Sequence, residues 1–272
     1  MEIAELFRRP VVVVASEICH GDEELFPEEL AHVRAAVAKR RAEFATARML
    51  ARRALASLGA TPISLVPGAD RAPVWPSGYT GSISHCADYC AVVVARSRDV
   101  RALGLDIEDV RELEPSMHDL VLTSGERAWL RRQPQELQPI LPILFFSAKE
   151  AYYKCQYPIT RGFLEFSDVE LTIDWPAGAF EARVLKRDWP TDVARLAGRF
   201  VIDGGRICCG VELAAARDAA FDAPVQAWRG SAAAGVRAAL DAPSAEAEAF
   251  VPAARGWLMA RIGPVADAVL SG

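Results

Sequence analysis

Two strand-length apolar runs, Val11 to Val14 and Leu103 to Ile107, bracket a much longer segment with helical spacing. The first run predicts a buried strand. The segment from about Pro27 to Leu58, closed by Gly59, sets Leu30, Val33, Val37, Phe44, Ala51, Leu55 and Leu58 along one stripe and predicts a single long helix. At about 100° per residue, Arg40 and Arg48 fall roughly 40° either side of that stripe, with Arg41 a little farther round. Either their stems snorkel along the seam with charged heads in water, or their guanidinium groups reach a bound polyanion.

A loop dense in glycine and proline follows at 67–78, then Gly81-Ser82-Ile83-Ser84-His85 and a strand from Cys90 to Ala95. The run Leu103 to Ile107 is interrupted only by Asp106 and ends in acids, so as a strand it turns Asp106 and Glu108 to the same face. Residues 111–138 are polar. Within them Thr123-Ser124-Gly125-Glu126 opens a short helix, and Pro134, Pro139 and Pro142 mark a linker before a helix that holds Glu150 and Lys154 one turn apart. Strands are expected at 166–173, 180–185, 199–202 and 207–213, with Asp203-Gly204-Gly205 as a hairpin turn. This predicts an α+β chain of two similar halves related by a pseudo-twofold, 1–108 and 109–213, each a long helix on an antiparallel sheet. Residues 214–272 form an alanine-rich extension whose apolar spacing, Phe250 to Val269, predicts helices packed on the body or on another subunit.

Composition narrows the classes. At 272 residues, 51% hydrophobic and 25% charged, the chain is globular, with one large domain or two ordinary ones. A net charge of -5 makes no general case for nucleic acid. Six cysteines without a CxxC pair write neither a zinc ribbon nor a redox motif, so reduced thiols are expected. The N-terminus lacks a signal-peptide pattern and no apolar run approaches a membrane span, which predicts a cytoplasmic protein without a membrane partner.

The chemistry gathers on the acids. A charge at Asp106, inside an apolar run, needs a cation or hydrogen-bonding partner to offset its desolvation. Asp106, Glu108 and Glu150 offer oxygen ligands only, which favours magnesium over zinc, and magnesium completes its shell with phosphate. Ser84 and His85 could donate to a phosphate. A Ser84–His85–Asp88 hydrolase triad is set aside, because the Gly-x-Ser-x-Gly elbow is missing.

Gly104-Leu105-Asp106-Ile107-Glu108 and Phe146-Ser147-Ala148-Lys149-Glu150-Ala151-Tyr152-Tyr153-Lys154 together resemble the motif pair of the 4′-phosphopantetheinyl transferases. Lys39 to Arg48, Arg71-Ala72-Pro73-Val74-Trp75-Pro76 and Gly81 to His85 are similar to the enterobactin-synthetase branch of the monomeric, surfactin-type subfamily. The resemblance implies coenzyme A in a cleft between the halves. It implies magnesium on Asp106, Glu108 and Glu150, phosphate contacts from Arg40, Arg48, Arg71, Ser84 and His85, and Lys154 on the phosphate being transferred. Asp106 thereby also lies against coenzyme A. The implied reaction moves 4′-phosphopantetheine to a serine of an apo acyl, aryl or peptidyl carrier protein and releases 3′,5′-ADP, with Glu150 as general base, directly or through water. Carriers are acidic, so a basic and apolar docking surface is expected, with Arg127, Trp129, Leu130, Arg131 and Arg132 as its candidate. No Asp-Ser-Leu carrier motif occurs in the extension. A magnesium-dependent nucleotide phosphohydrolase and a non-catalytic coenzyme A-binding regulator are the alternatives.

Overall fold

The structure, a computed structural model, describes residues 2–19, 21, 23–70, 72–135 and 137–215. Arg71 and the expected extension from position 216 onward lie outside the described residues.

Strands β1 (Val12–Glu17), β2 (Tyr79–His85) and β3 (Tyr89–Arg96) form an antiparallel sheet of order β1-β3-β2. The central strand is buried on both faces. Cys90, Val92 and Val94 meet Leu50, Ala54 and Leu55 behind the sheet, while Ala91, Val93 and Ala95 meet Leu103, Leu105 and Ile107 in front. β1 was expected to be buried and is only half-buried, because it is an edge strand with β3 as its one sheet neighbour.

The single helix expected over 27–58 is two, α1 (Pro27–Val33) and α2 (Ala38–Ser57). Val37 leaves helical geometry with φ −63° and ψ 155°, and it and Leu30 are exposed rather than part of the buried stripe. The cause is Glu29. Its carboxylate accepts from Arg52 Nη1 at 2.8 Å and from the Leu65 backbone N–H at 2.8 Å. On one continuous helix Glu29 and Arg52 would stand roughly 35 Å apart at about 1.5 Å per residue. The turn at 35–37 lets α1 fold back so that this fully buried acid finds its cation.

The second sheet has five antiparallel strands in the order β4-β8-β7-β6-β5, from β4 (Val100–Asp109), β5 (Val169–Asp174), β6 (Ala179–Val184), β7 (Arg195–Asp203) and β8 (Arg206–Ala214). Gly204 and Gly205, at φ +58° and +75°, make the β7–β8 hairpin turn where side-chained residues would be strained. β4 sits on the near side of the expected 108/109 division, yet its ladder runs with β8 from Val100↔Ala214 to Asp109↔Arg206. Its other side meets β2 through side chains: the Leu105 and Ile107 N–H groups donate to Ser82 Oγ and Ser84 Oγ. β4 is therefore the seam of the molecule.

Three helices follow β4: α3 (Pro115–Val121), α4 (Ser124–Leu130) and α5 (Leu141–Thr160). Thr123 and Glu126 close the expected capping box on α4. Pro142, expected in a linker, instead lies in the first turn of α5, where its missing N–H costs nothing. Odd-numbered β4 residues Leu103, Leu105 and Ile107 face the first sheet, so Ala102, Gly104, Asp106 and Glu108 face α5. Gly104 is what lets the helix come so near, since a Cβ there would overlap the carbonyl of Ala151. Gly104→Ala is expected to lower stability by about 1–3 kcal/mol and to reduce activity, by lifting α5 off the strand. An unchanged denaturation midpoint and rate in that variant would show that the close crossing is not needed.

Candidate functional site

Helix α5 delivers two charged residues to the acidic end of β4. Lys154 Nζ donates to Asp106 Oδ1 at 2.7 Å, to Ser84 Oγ at 3.2 Å and to the Leu105 carbonyl at 3.2 Å. Ser84 Oγ in turn donates to Asp106 Oδ1 at 3.0 Å. Lys154 thus bridges to the strand rather than to Glu150 one turn away, and Glu150 has no hydrogen bond or ion pair among the described residues. The other carboxylate oxygen, Asp106 Oδ2, is buried and also has no partner among them.

The acids press on one another. Burial pushes the Glu108 carboxyl up to about 7, with Asp106 adding to the rise and Arg111 and Lys154 opposing it. Burial likewise raises Glu150, against the pull of Lys154. A carboxyl with a raised folded pKa binds more protons in the folded than in the unfolded chain, so stability is lost as pH climbs from its ordinary 4.5 towards about 7. In EDTA the melting temperature should therefore fall between about pH 5 and about pH 8, and Glu108→Gln should flatten that decline. A flat wild-type profile would mean that Glu108 ionises freely.

The end of β2 supplies the facing group. Arg40 Nη1 lies 3.2 Å from His85 Nε2 and 3.2 Å from Glu43 Oε2. A guanidinium only donates, so Nε2 is the acceptor and the ring proton sits on Nδ1. Burial lowers the His85 pKa, and although Glu43 pulls it back up, Arg40 and Lys154 push it further down. His85 is therefore a neutral hydrogen-bonding group within electrostatic reach of both Lys154 and Asp106. Arg40 is half-exposed, with a side-chain accessibility of 53%.

Not every expected residue points into this space. Arg48 is buried, donates through Nε to the Leu65 carbonyl at 2.6 Å and lies over the Phe44 ring; burial lowers its pKa to about 10. Its first task is to pin the loop that leads towards Arg71. In the expected docking stretch, Leu130 is buried, Trp129 packs edge-on against Phe145 and Arg127 Nη1 donates to the Leu122 carbonyl, which leaves only Arg131 and Arg132 exposed. The apolar half of that surface is spent on the core.

Several features were not legible beforehand. Lys149, next to Glu150, turns the other way into the core, where its Nζ donates to Glu126 Oε2, to the Val121 carbonyl and to the Phe166 carbonyl. Cys86, Asp88 and Asp109 bring ligand atoms within 4.8 Å of one another, a tighter group than the Asp106, Glu108 and Glu150 trio. Arg206 already neutralises it, with Nη2 at 2.8 Å from Asp88, and burial and Asp109 push the Cys86 thiol up to about 11, protonated and a poor ligand. A cavity of about 440 Å³ lined by Glu5, Leu6, Gly178, Arg199, Phe200 and Asp203 contains none of the expected site residues. All six cysteines are free, as their spacing implied. No described helix is long and apolar enough to cross a membrane.

A family model described as 4′-phosphopantetheinyl transferase N-terminal domain matches residues 27–95, and one described as 4′-phosphopantetheinyl transferase superfamily matches residues 102–211. The gap between them falls at the start of β4. The chain is similar to 4′-phosphopantetheinyl transferase Npt of Nocardia iowensis, at 34% identity over 75% of this chain and 97% of that protein. It is similar to 4′-phosphopantetheinyl transferase PptT of Mycobacterium tuberculosis, at 35% over 69% of this chain and 85% of that one. Against 4′-phosphopantetheinyl transferase Svp of Streptomyces mobaraensis identity is 44% over 59% of this chain and 66% of that one.

Proposed function

Because the chain belongs to the 4′-phosphopantetheinyl transferase family, we propose that its β4–α5 junction transfers 4′-phosphopantetheine from coenzyme A to a carrier-protein serine. The observation that carries this reading is the convergence of Asp106, Glu108, Glu150 and Lys154 at the seam of the two sheets, with Ser84 bonded to Asp106 and His85 facing them.

Magnesium fits the residues present. Asp106 Oδ2 is a buried carboxylate oxygen with no partner among the described residues, and burial together with the Asp106 charge pushes the Glu108 and Glu150 carboxyls up, so a cation would be welcome there. Asp106, Glu108 and Glu150 would hold the ion, in an all-oxygen set of the kind magnesium takes. Bound there, magnesium supplies charge neutralisation for the phosphate oxygens of coenzyme A.

The chain's own groups do the rest. Arg40 and His85 orient the phosphates, and the family resemblance adds Ser84, Arg48 and Arg71 as phosphate contacts, Arg71 lying outside the described residues. The carrier serine oxygen bonds to the β-phosphorus while the bond from that phosphorus to the bridging oxygen breaks, and 3′,5′-ADP leaves with the bond electrons. The serine proton passes to Glu150, directly or through a water. With magnesium on it, the Glu150 carboxyl would be held ionised and weakly basic, which favours the route through water. Lys154 meets the charge growing on the transferred group. The two units, each with a 20-residue helix on an antiparallel sheet, support a pseudo-twofold plan for the cleft. The motifs around Arg40 and His85 support the enterobactin-synthetase-like branch, and the same reading makes the enzyme a cytoplasmic monomer.

The test is the mass of an apo-carrier after incubation with coenzyme A, magnesium and the protein. The expected result is a carrier heavier by one phosphopantetheine and a reaction stopped by EDTA. Coenzyme A cleaved without any carrier would replace this function with hydrolysis, and binding with neither outcome would make the protein a regulator.

A further inference from the structure

We propose that Lys154 is the internal counter-cation of the metal-free acid site, and that it must release Asp106 before it can act on a phosphate. This rests on the reading of Asp106, Glu108 and Glu150 as a cation site.

The geometry leaves Lys154 no spare hydrogen. An ammonium has three donors, and Nζ spends them on Asp106 Oδ1, Ser84 Oγ and the Leu105 carbonyl. Ser84 Oγ is saturated as well, donating to Asp106 and accepting from Ile107 N and Lys154. The lysine therefore cannot touch a transferring phosphoryl group from where it sits. It must break at least one of these bonds.

Asp106 explains the choice of partner. Its side chain is 5% exposed and interrupts an apolar strand, so leaving it unpaired is costly, whereas Glu150 lies nearer to water. Lys154 takes the acid that most needs a cation, although Glu150 sits one turn away on its own helix. A divalent ion on Asp106 would bring a second positive charge to the carboxylate that Lys154 already holds through Oδ1, and two cations on one acid repel in a partly buried site. Cation binding therefore weakens the Lys154–Asp106 bond. A phosphate arriving with the ion offers the displaced ammonium a new acceptor, so the protein binds metal weakly alone and more tightly with coenzyme A. The lysine is parked until both are present.

Manganese binding, followed by its electron spin resonance without coenzyme A, separates the possibilities. Lys154→Gln is expected to bind manganese about tenfold more tightly than the wild type, and Asp106→Asn to lose binding. In lysine ammonium NMR spectra of the metal-free wild type, a solvent-protected signal absent from Lys154→Gln should disappear when magnesium is added. If Asp106→Asn loses the metal but Lys154→Gln binds no better and the protected signal survives magnesium, the exchange is overturned while the cation site stands. Wild type that binds no manganese, or binds it equally well as Asp106→Asn, removes the cation site and the exchange with it.

Discussion

Glu150→Gln is expected to fold normally, bind coenzyme A and transfer phosphopantetheine at least about 10³-fold more slowly than the wild type. The substitution removes a proton acceptor and a metal oxygen together while preserving the volume of the side chain. Glu150 contributes nothing to holding α5 in place: it has no hydrogen bond or ion pair among the described residues, and burial already disfavours its charge. In EDTA near neutral pH the variant should melt no lower than the wild type. Carrier mass measured over time gives the rate, and circular dichroism gives the fold. Transfer within tenfold of wild type would take Glu150 out of the mechanism.

One position earlier the outcome reverses. Lys149→Met is expected to cost about 3–5 kcal/mol, a large fraction of the roughly 5–15 kcal/mol that holds an ordinary domain together. Lys149 is buried, and its ammonium joins Glu126 of α4 to the Val121 and Phe166 carbonyls. Glu126 also receives the Thr123 and Leu171 N–H groups, so losing the lysine strands a buried carboxylate at the junction of α4, α5 and β5. Urea titration followed by circular dichroism reads the change. Because Glu126 keeps those two backbone donors, Lys149→Met with Glu126→Gln should recover part of the loss. A Lys149→Met midpoint equal to wild type would mean that the ion pair is dispensable.

These neighbours also mark what the sequence discloses. Strand alternation was enough to place Asp106 and Glu108 on one face, and helical spacing put Glu150 and Lys154 on one side of α5. The capping box at Thr123 and the Gly204–Gly205 turn were equally plain, because each is a local rule with a fixed spacing. Long-range partners were not. Helical periodicity runs on through residues 35–37, and only the tie between Glu29 and Arg52 explains why the chain turns back there. Nothing near Lys154 announces that it prefers Asp106, 48 positions away, to Glu150 one turn behind it. The cluster of Cys86, Asp88, Asp109 and Arg206 assembles from the β2–β3 turn, the end of β4 and the start of β8, so no spacing could reveal it. Gly104 stood in the motif from the outset, but its purpose needed the Ala151 carbonyl above it.

If coenzyme A reacts at the β4–α5 junction, a crystal structure with coenzyme A and magnesium will show it there. The predicted complex has the pyrophosphate between Lys154 and His85, the ion on Asp106, Glu108 and Glu150, and the Lys154–Asp106 bond broken. Phosphates found elsewhere, beside Arg199 in the cavity on the second sheet for instance, with Lys154 still on Asp106, would contradict it.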